Sequence, residues 1–382
     1  MDSTWAHVAG LQTIAEREAL LLAPYATHSI DSQGRRHPEP AHAYRGPFQR
    51  DRDRVVHSSA YRRLSGKMQV FTGDMGDYHR TRLTHTHEVA SIARTMGRTL
   101  RLNEDLIEAL ALFHDIGHPP YGHAGEEALH NCLLDQGGFS HNQYALTIAE
   151  ELEIRYHQFP GLNLSYEVLE GQAMRIDKSR TDACPPLEVQ VVDVADSITY
   201  DAHDTDDAIK LGLVSLPEIA TIPLVQETMQ RVHDQQGKLT GPLMRKAIVH
   251  MLIDVQVSDV LQQAGTALAR QAFVSAGAAQ TANLRLGPSP SLQQKKQELE
   301  VFLYSHVYRH PKLIAMRELA QNRLQQLFRA FCAAPHCLPD RFRRRAETVG
   351  LERSVGDYVA GMTDRFCEQQ AERLVSQGAW GS

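Results

Sequence analysis

The stretch ALALFHDIGHPPYGHAGEE, residues 109–127, sets a histidine beside an aspartate (His114-Asp115) where an apolar helix stops. Upstream, Leu106, Ile107, Leu110, Ala111 and Phe113 recur at helical spacing, which puts His114 and Asp115 on the last turn of an amphipathic helix. Gly117 and the pair Pro119-Pro120 then end that helix. A neutral imidazole and an ionised carboxylate are both good ligands for a divalent metal. Adjacent helical positions diverge by about 100°, so the two alone would chelate poorly and other helices must supply more ligands.

Candidates flank the pair on both sides. His85 stands in RLTHTHE (residues 82–88), at the start of a helix whose Val89, Ile92, Ala93, Met96 and Leu100 form a core stripe. Asp196 stands in LEVQVVDVADSITYDAHD (residues 187–204), where Val191, Ala195, Ile198 and Ala202 form one face. Asp193, Asp196, Tyr200 and Asp204, at steps of three and four, line another. His85, His114, Asp115 and Asp196 thus make a ligand set drawn from three helices. Taken singly, each is more often a helix cap or a hydrogen-bonded core side chain, and that reading stands beside the metal one. As an octahedral site, the set would leave room for water and one further oxygen ligand, which favours Mn²⁺, Mg²⁺ or Fe²⁺ over a closed tetrahedral zinc.

With 42% hydrophobic and 23% charged residues, the 382-residue chain has the composition of an ordinary globular protein, enough for one large core or two smaller ones, and no disorder class fits. The start, MDSTWAHVAG, lacks the basic and apolar regions of a signal peptide, and no apolar run approaches about 18 residues. A cytoplasmic location with no membrane partner is expected. The net charge of −6 argues against a general nucleic-acid coat. Between residues 45 and 82, however, Arg45, Arg50, Arg52, Arg54, Arg62, Arg63, Lys67, Arg80 and Arg82 outnumber the acids. The alternating RDRDR run marks interlocked ion pairs or a solvated surface, yet a basic stretch leading into His85 also suits a polyphosphate. Arg82, on the same helical side as His85, is placed to hold a metal-bridged phosphate. Five cysteines show no CxxC spacing; Cys332 and Cys337 around His336 make an incomplete zinc site and read as isolated thiols.

Helical patterns continue over residues 11–22, 223–232, 242–261, 292–307 and 313–331, the last with Met316, Leu319, Leu324, Leu327 and Phe331 as its buried face. Strand alternation, Asn-Gly hairpin turns and internal repeats are absent, so an all-α fold is expected. Residues 276–291 (AGAAQTANLRLGPSPS) read as a flexible, disordered loop. His123 and Glu126, three apart at the start of the next helix after His114, could form a proton-transfer pair in which the carboxylate orients the imidazole. Equally, Glu126 in a first helical turn is favoured by the helix dipole alone.

The order and spacing of these residues resemble the HD-domain metal phosphohydrolases. Within that superfamily, the stretches YRGPFQRDRDRVVHSSAYRRLSGKMQVF (residues 44–71), RTRLTHTHEVA (80–90), HDIGHPPYGHAGEEAL (114–129), GLNLSYEVLEG (161–171) and LEVQVVDVADSITYDAHD (187–204) resemble the deoxynucleoside triphosphate triphosphohydrolases, or dGTPase-like enzymes. The likeness is close over residues 40–210 and weaker on either side. It implies an HD-domain helical bundle with additional C-terminal helices: an N-terminal helix and loop over 1–40, a catalytic core over 41–215, and a helical region over 216–382 packed on that core. It implies metal-dependent release of deoxynucleoside and inorganic triphosphate from a dNTP.

The same resemblance makes His123 and Glu126 the catalytic pair, with His123 the proton donor to the departing sugar oxygen, and brings His118 to the phosphates. Gln69 matches a residue near sugar or base, Tyr200 a phosphate contact, Asp204 a 3′-hydroxyl acceptor, and Asn142 a further substrate contact. Tyr308 is a candidate for excluding a 2′-hydroxyl, with a core aromatic as the other reading. His141 stands where many members carry a small residue, which puts substrate contacts or the metal count in question. With His118, His123, His141 and His157 at hand, a second metal, as in the binuclear HD phosphodiesterases, is an alternative. By analogy a homo-oligomer, dimer to hexamer, is expected, with a nucleotide effector or single-stranded nucleic acid as further partners. The rival readings are another nucleotide phosphohydrolase or phosphodiesterase, and a nucleotide-sensing or single-strand-binding regulator without turnover.

Overall fold

Helices carry the whole architecture because the apolar residues recur at steps of three and four almost throughout, and no alternating run offers a sheet an apolar face. The computed structural model describes residues 12–69, 80–176 and 184–376. Among them the only extended pairings are two isolated bridges, Arg35 with Ser165 and Met68 with Thr81. The all-α expectation is borne out.

In chain order the helices are Ile14–Leu21 (α1), Pro47–Val56 (α2), Ser59–Arg63 (α3), Arg82–Thr99 (α4), Glu104–Phe113 (α5), Gly122–Cys132 (α6), His141–Thr147 (α7), Tyr166–Met174 (α8) and Leu187–Lys210 (α9). There follow Leu216–Ile219 (α10), Pro223–Gln236 (α11), Gly241–Arg270 (α12), Ala276–Thr281 (α13), Pro290–Leu303 (α14), Pro311–Ala333 (α15), Asp340–Val349 (α16), Leu351–Ala360 (α17) and Asp364–Ser376 (α18). None is long and apolar enough to cross a membrane.

Three of these helices frame the centre. Thr81 caps α4 by accepting from the Thr84 amide, and Val89, Ala93 and Met96 bury its inner stripe. Asn103 does the same for α5, whose last seven residues include six buried apolar side chains. Between them lies α9, with Val191, Ala195, Ile198 and Ala202 turned inward. The helices α4, α5 and α9 pack on one another, and α15 to α18 close over α6 and complete the same core. A second apolar cluster joins the end of α9 to α11, α12 and α14.

Some boundaries differ from the sequence expectation. The helix read over residues 11–22 runs Ile14–Leu21, and Leu11 lies outside the described residues. Residues 276–291 are not a loose loop: Ser275 caps α13, Gln190 on α9 exchanges hydrogen bonds with Leu284 and Leu286, and Asp259 on α12 accepts from the Ser289 amide. Side chains of distant helices satisfy that backbone, a fact its Gly- and Pro-rich composition does not reveal. On α15 the burial begins only at Ala320. Leu319 is 60% exposed and lines a cavity with Tyr121 and Asp364, so the stripe read through Met316 and Leu319 extends too far.

The C-terminal helices are tied to the centre by one buried cation. The Lys67 ammonium donates to the carbonyl of His118 (2.5 Å) and to that of Ala360 at the end of α17 (3.1 Å). Burial, with Arg63 and Arg82 nearby and Asp364 opposing, pushes its pKa down to about 7 from 10.5. Between those values the unfolded chain keeps the proton and the folded chain sheds it, so stability at this position rises with pH. Replacing Lys67→Met removes that dependence. Urea denaturation at pH 7 and again two units higher should find the stability difference moved toward the wild type by roughly 2 kcal/mol.

Candidate metal centre and active site

The chain leaves α5 at the edge of the centre, after a last helical bond from the His114 amide to the Leu110 carbonyl. His114 is the C-cap, one position beyond the helix, and its Nδ1 donates to the Ala111 carbonyl at 2.6 Å. That bond fixes the proton on Nδ1 and leaves Nε2 as a bare lone pair. The Nε2 is buried and has no hydrogen-bond partner. Around it converge Asp196 Oδ1 on α9, at 3.7 Å, and His85 on α4, whose Nε2 lies 3.1 Å from the same oxygen. One ligand atom from each of His85, His114 and Asp196 falls within 4.8 Å of the others. An orphaned imidazole nitrogen facing a carboxylate and a second imidazole is the donor set a divalent cation requires, so the residues present fit the metal.

Asp115 sits at the rim of this cluster. Its Oδ1 lies 3.5 Å from His114 Nε2 and 3.1 Å from His118 Nε2, while Oδ2 accepts from Arg82 at 2.9 Å. Burial raises its pKa, but Arg82, His118 and His114 together outweigh burial and hold the carboxyl well below the ordinary range. Asp196 is treated alike: burial is overcome by His114, by the neighbouring His85, and by Arg175, whose guanidinium lies 2.8 Å from Oδ2. Both carboxylates therefore stay ionised inside the protein. Burial lowers His114 and, further, His118, keeping both rings neutral and able to act as ligands or acceptors.

A second group forms beside the first. Glu126 accepts from the His141 amide (2.9 Å), meets His141 Nδ1 at 2.8 Å, and meets His123 Nδ1 at 3.3 Å with its other oxygen. His118 stacks on His141 with ring centroids 3.8 Å apart. His118, Glu126 and His141 also bring one ligand atom each within 4.8 Å of one another, whereas His157 is not among them. The His123 side chain is 59% exposed, with its ring free to meet a ligand. His118 and Glu126 are brought together with the departure at His141, whose amide and imidazole share one oxygen of Glu126 while His123 takes the other.

The remaining sequence candidates divide. Tyr200, Asp204 and Tyr308 line one cavity of about 360 Å³ that reaches Asp196 and Arg175, and the Tyr308 hydroxyl donates to Asp204. Arg82 is 2% exposed and is spent on Asp115 and on the Gln69 carbonyl. Gln69 is buried with its side-chain oxygen unpartnered. Asn142 accepts from Gln172 at 2.9 Å and reaches the Arg175 carbonyl, joining α7 to α8. Of the basic stretch, Arg45, Arg50, Arg52, Arg54, Arg80 and Arg82 are all ion-paired, as the RDRDR alternation suggests. Larger cavities, of about 590 and 600 Å³, lie by Lys67 and by Ile14 and contain no such ligand cluster. No cysteine belongs to either ligand group among the described residues, and Cys332 and Cys337 pack against the core.

Three side chains at this site escaped the sequence reading. Arg175 ends α8 and bridges Asp193 and Asp196, each at 2.8 Å. Its only signal is a lone arginine after an apolar helix. His203 stands seven residues after Asp196, two turns along the same face, a spacing that could have disclosed it. Glu88, one turn beyond His85, pairs with His203.

A helical bundle that gathers His and Asp side chains from three helices around an His-Asp dipeptide defines an HD-domain phosphohydrolase, a metal-dependent class. The HD domain family matches residues 82–201, and the phosphohydrolase-associated domain family matches residues 286–373. Similar over nearly the whole length are deoxyguanosinetriphosphate triphosphohydrolase-like proteins. That of Azoarcus sp. (strain BH72) is 40% identical across 95% of this chain and 98% of the relative. That of Nitrosomonas europaea is 38% identical across 92% and 97%, and that of Thiobacillus denitrificans 39% across 92% and 96%. The chain belongs to this deoxyguanosinetriphosphate triphosphohydrolase-like family, as its motifs imply.

Gly117 permits the turn between the two groups. A Cβ there would overlap the His141 carbonyl and the backbone of Ala145 on α7. Gly117→Ala is expected to cost roughly 1–3 kcal/mol of stability through this overlap, measured by denaturant unfolding.

Proposed function

We propose that the chain hydrolyses deoxynucleoside triphosphates to deoxynucleoside and inorganic triphosphate. The observation that carries this reading is the bare, buried Nε2 of His114, set between His85 and Asp196, with His118 four residues on belonging to a second group with Glu126 and His141. The names borne by the relatives support it. His85, His114, Asp196 and Asp115 would hold the metal, which we assign as Mn²⁺, Mg²⁺ or Fe²⁺. Bound there, such an ion supplies charge neutralisation at the phosphoryl oxygens and an acidified water.

The protein's own groups provide the rest. Water attacks the α-phosphorus and the bond to the sugar 5′-oxygen breaks. His123, exposed and hydrogen-bonded to Glu126, delivers its proton to that oxygen. Glu126 is held far below the usual carboxylate range: burial would raise it, but the bonds from His123 and His141 prevail. It therefore remains an anion that stabilises a protonated His123. His118 stands between the two groups, where it meets a phosphate oxygen.

At the other end of the cavity, burial raises Asp204 well above its usual value, with the Tyr308 bond opposing. A carboxyl so disposed towards neutrality hydrogen-bonds a sugar hydroxyl with less repulsion of the triphosphate. Tyr308 closes the cavity against that hydroxyl and opposes a 2′-hydroxyl, and Tyr200 faces the phosphates. Gln69 with its free oxygen serves sugar or base; Arg82 acts through Asp115, and Asn142 through Gln172 and Arg175.

Two variants test the division of labour. His123→Ala should bind Mn²⁺ as the wild type does and lose turnover by roughly 10²–10⁴-fold. Asp196→Ala should lose both, as read by Mn²⁺ titration beside steady-state rates. Anion-exchange analysis of the products from mixed dNTPs should show inorganic triphosphate; monophosphate or pyrophosphate in its place would sink the assignment.

A further inference from the structure

On the side of His85 turned away from the ligand cluster stands another imidazole. His85 Nδ1 and His203 Nδ1 face each other at 3.5 Å, with ring centroids 5.6 Å apart. His203 is buried, and its Nε2 pairs with the carboxylate of Glu88. Glu88 lies one turn along α4 from His85, is half exposed, and with His203 borders a separate cavity of about 490 Å³.

Proton counting along this line leaves little freedom. A carboxylate can only accept, so His203 Nε2 carries a proton. A neutral His203 then has a bare Nδ1, and two nitrogens at hydrogen-bond distance need one proton between them. That proton belongs to Nδ1 of His85, which leaves His85 Nε2 bare and directed at Asp196 Oδ1, 3.1 Å away. Two acceptors so close call for a cation between them. His114 reaches the same tautomer by another route, through the backbone carbonyl of Ala111. One ligand histidine is thus fixed by main chain, the other by a carboxylate acting through an intervening ring.

We propose that His203 and Glu88 are positioning residues that hold His85 in its Nδ1-protonated tautomer, presenting Nε2 to the divalent cation. The inference rests on the metal-centre reading above. Outer partners of ligating histidines commonly govern affinity by roughly 10- to 100-fold, and a relay through two imidazoles extends that effect to α9 and the outer face of α4.

The measurement is Mn²⁺ affinity, by calorimetry or by the signal of free Mn²⁺ in electron paramagnetic resonance, on the full chain without nucleotide. His203→Leu fills the space and removes the acceptor; the Mn²⁺ Kd should rise roughly 10- to 100-fold. His203→Asn restores an oxygen near the position of Nδ1 and should recover most of that loss, which a purely packing role would not predict. Glu88→Ala should weaken binding severalfold. An affinity for His203→Leu within twofold of the wild type, or no recovery in His203→Asn, overturns the proposal. Should His203→Leu not fold, Glu88→Ala decides, and a Kd equal to the wild type's overturns it. A wild-type chain that binds no Mn²⁺ would instead remove the metal centre itself.

Discussion

The Asp196 carboxylate is shared between opposite demands, and the rest of the site depends on how it is divided. Its Oδ1 faces two imidazoles and its Oδ2 a guanidinium. A carboxylate of this kind inside a helical core would ordinarily take up a proton, since burial disfavours charge. Arg175 prevents that from one side while leaving the other oxygen to the histidines. The same device recurs at Asp115, where Arg82 takes Oδ2 and the imidazoles meet Oδ1. Each of the two acids has its own arginine, so the cluster holds two negative charges inside a helical core. This explains why Arg82, which in sequence looks like a free phosphate ligand, is buried and committed.

Much of this was legible beforehand, and the reason is periodicity. Core stripes at steps of three and four place α4, α5 and α9, and the polar residues interrupting those stripes must point where the stripes converge. His85, His114 and Asp196 interrupt them in this way, and the fold brings the three together. So was the line from Asp196 through Tyr200 to Asp204, which follows one helical face into one cavity. What stayed hidden depends on contacts between elements far apart in sequence. Whether Arg82 meets a phosphate or Asp115 is decided by the packing of α4 against the end of α5. Arg175 and Glu88 gain meaning only through partners on α9. The strap over residues 276–291 looks mobile in composition because the groups that fix it, Gln190 and Asp259, sit on other helices.

His141 shows how a single departure can be absorbed. In sequence it unsettles the count of metals and contacts, whereas in the fold its ring stacks on His118 and its amide and Nδ1 both bind Glu126. Glu126 is thereby clamped from two sides, and the exposed His123 gains a partner that cannot swing away. Lys67 adds a link of a different sort, since the carbonyl it grips belongs to His118, the residue whose ring stacks on His141. The phosphohydrolase-associated helices are hydrogen-bonded, through one ammonium, to the backbone of the centre they cover.

The helix α9 is a ruler as well as a scaffold. Asp196 and Asp204 mark its two working graduations, eight residues or about 12 Å apart along one edge, with the inner half embedded in the main core and the far end in the second cluster. Residues between the marks can be exchanged for others of similar size, but their number is fixed. One added or missing residue would swing the distal carboxyl about 100° around the axis and empty the far wall of the cavity. Such a segment tolerates drift in spelling and none in length.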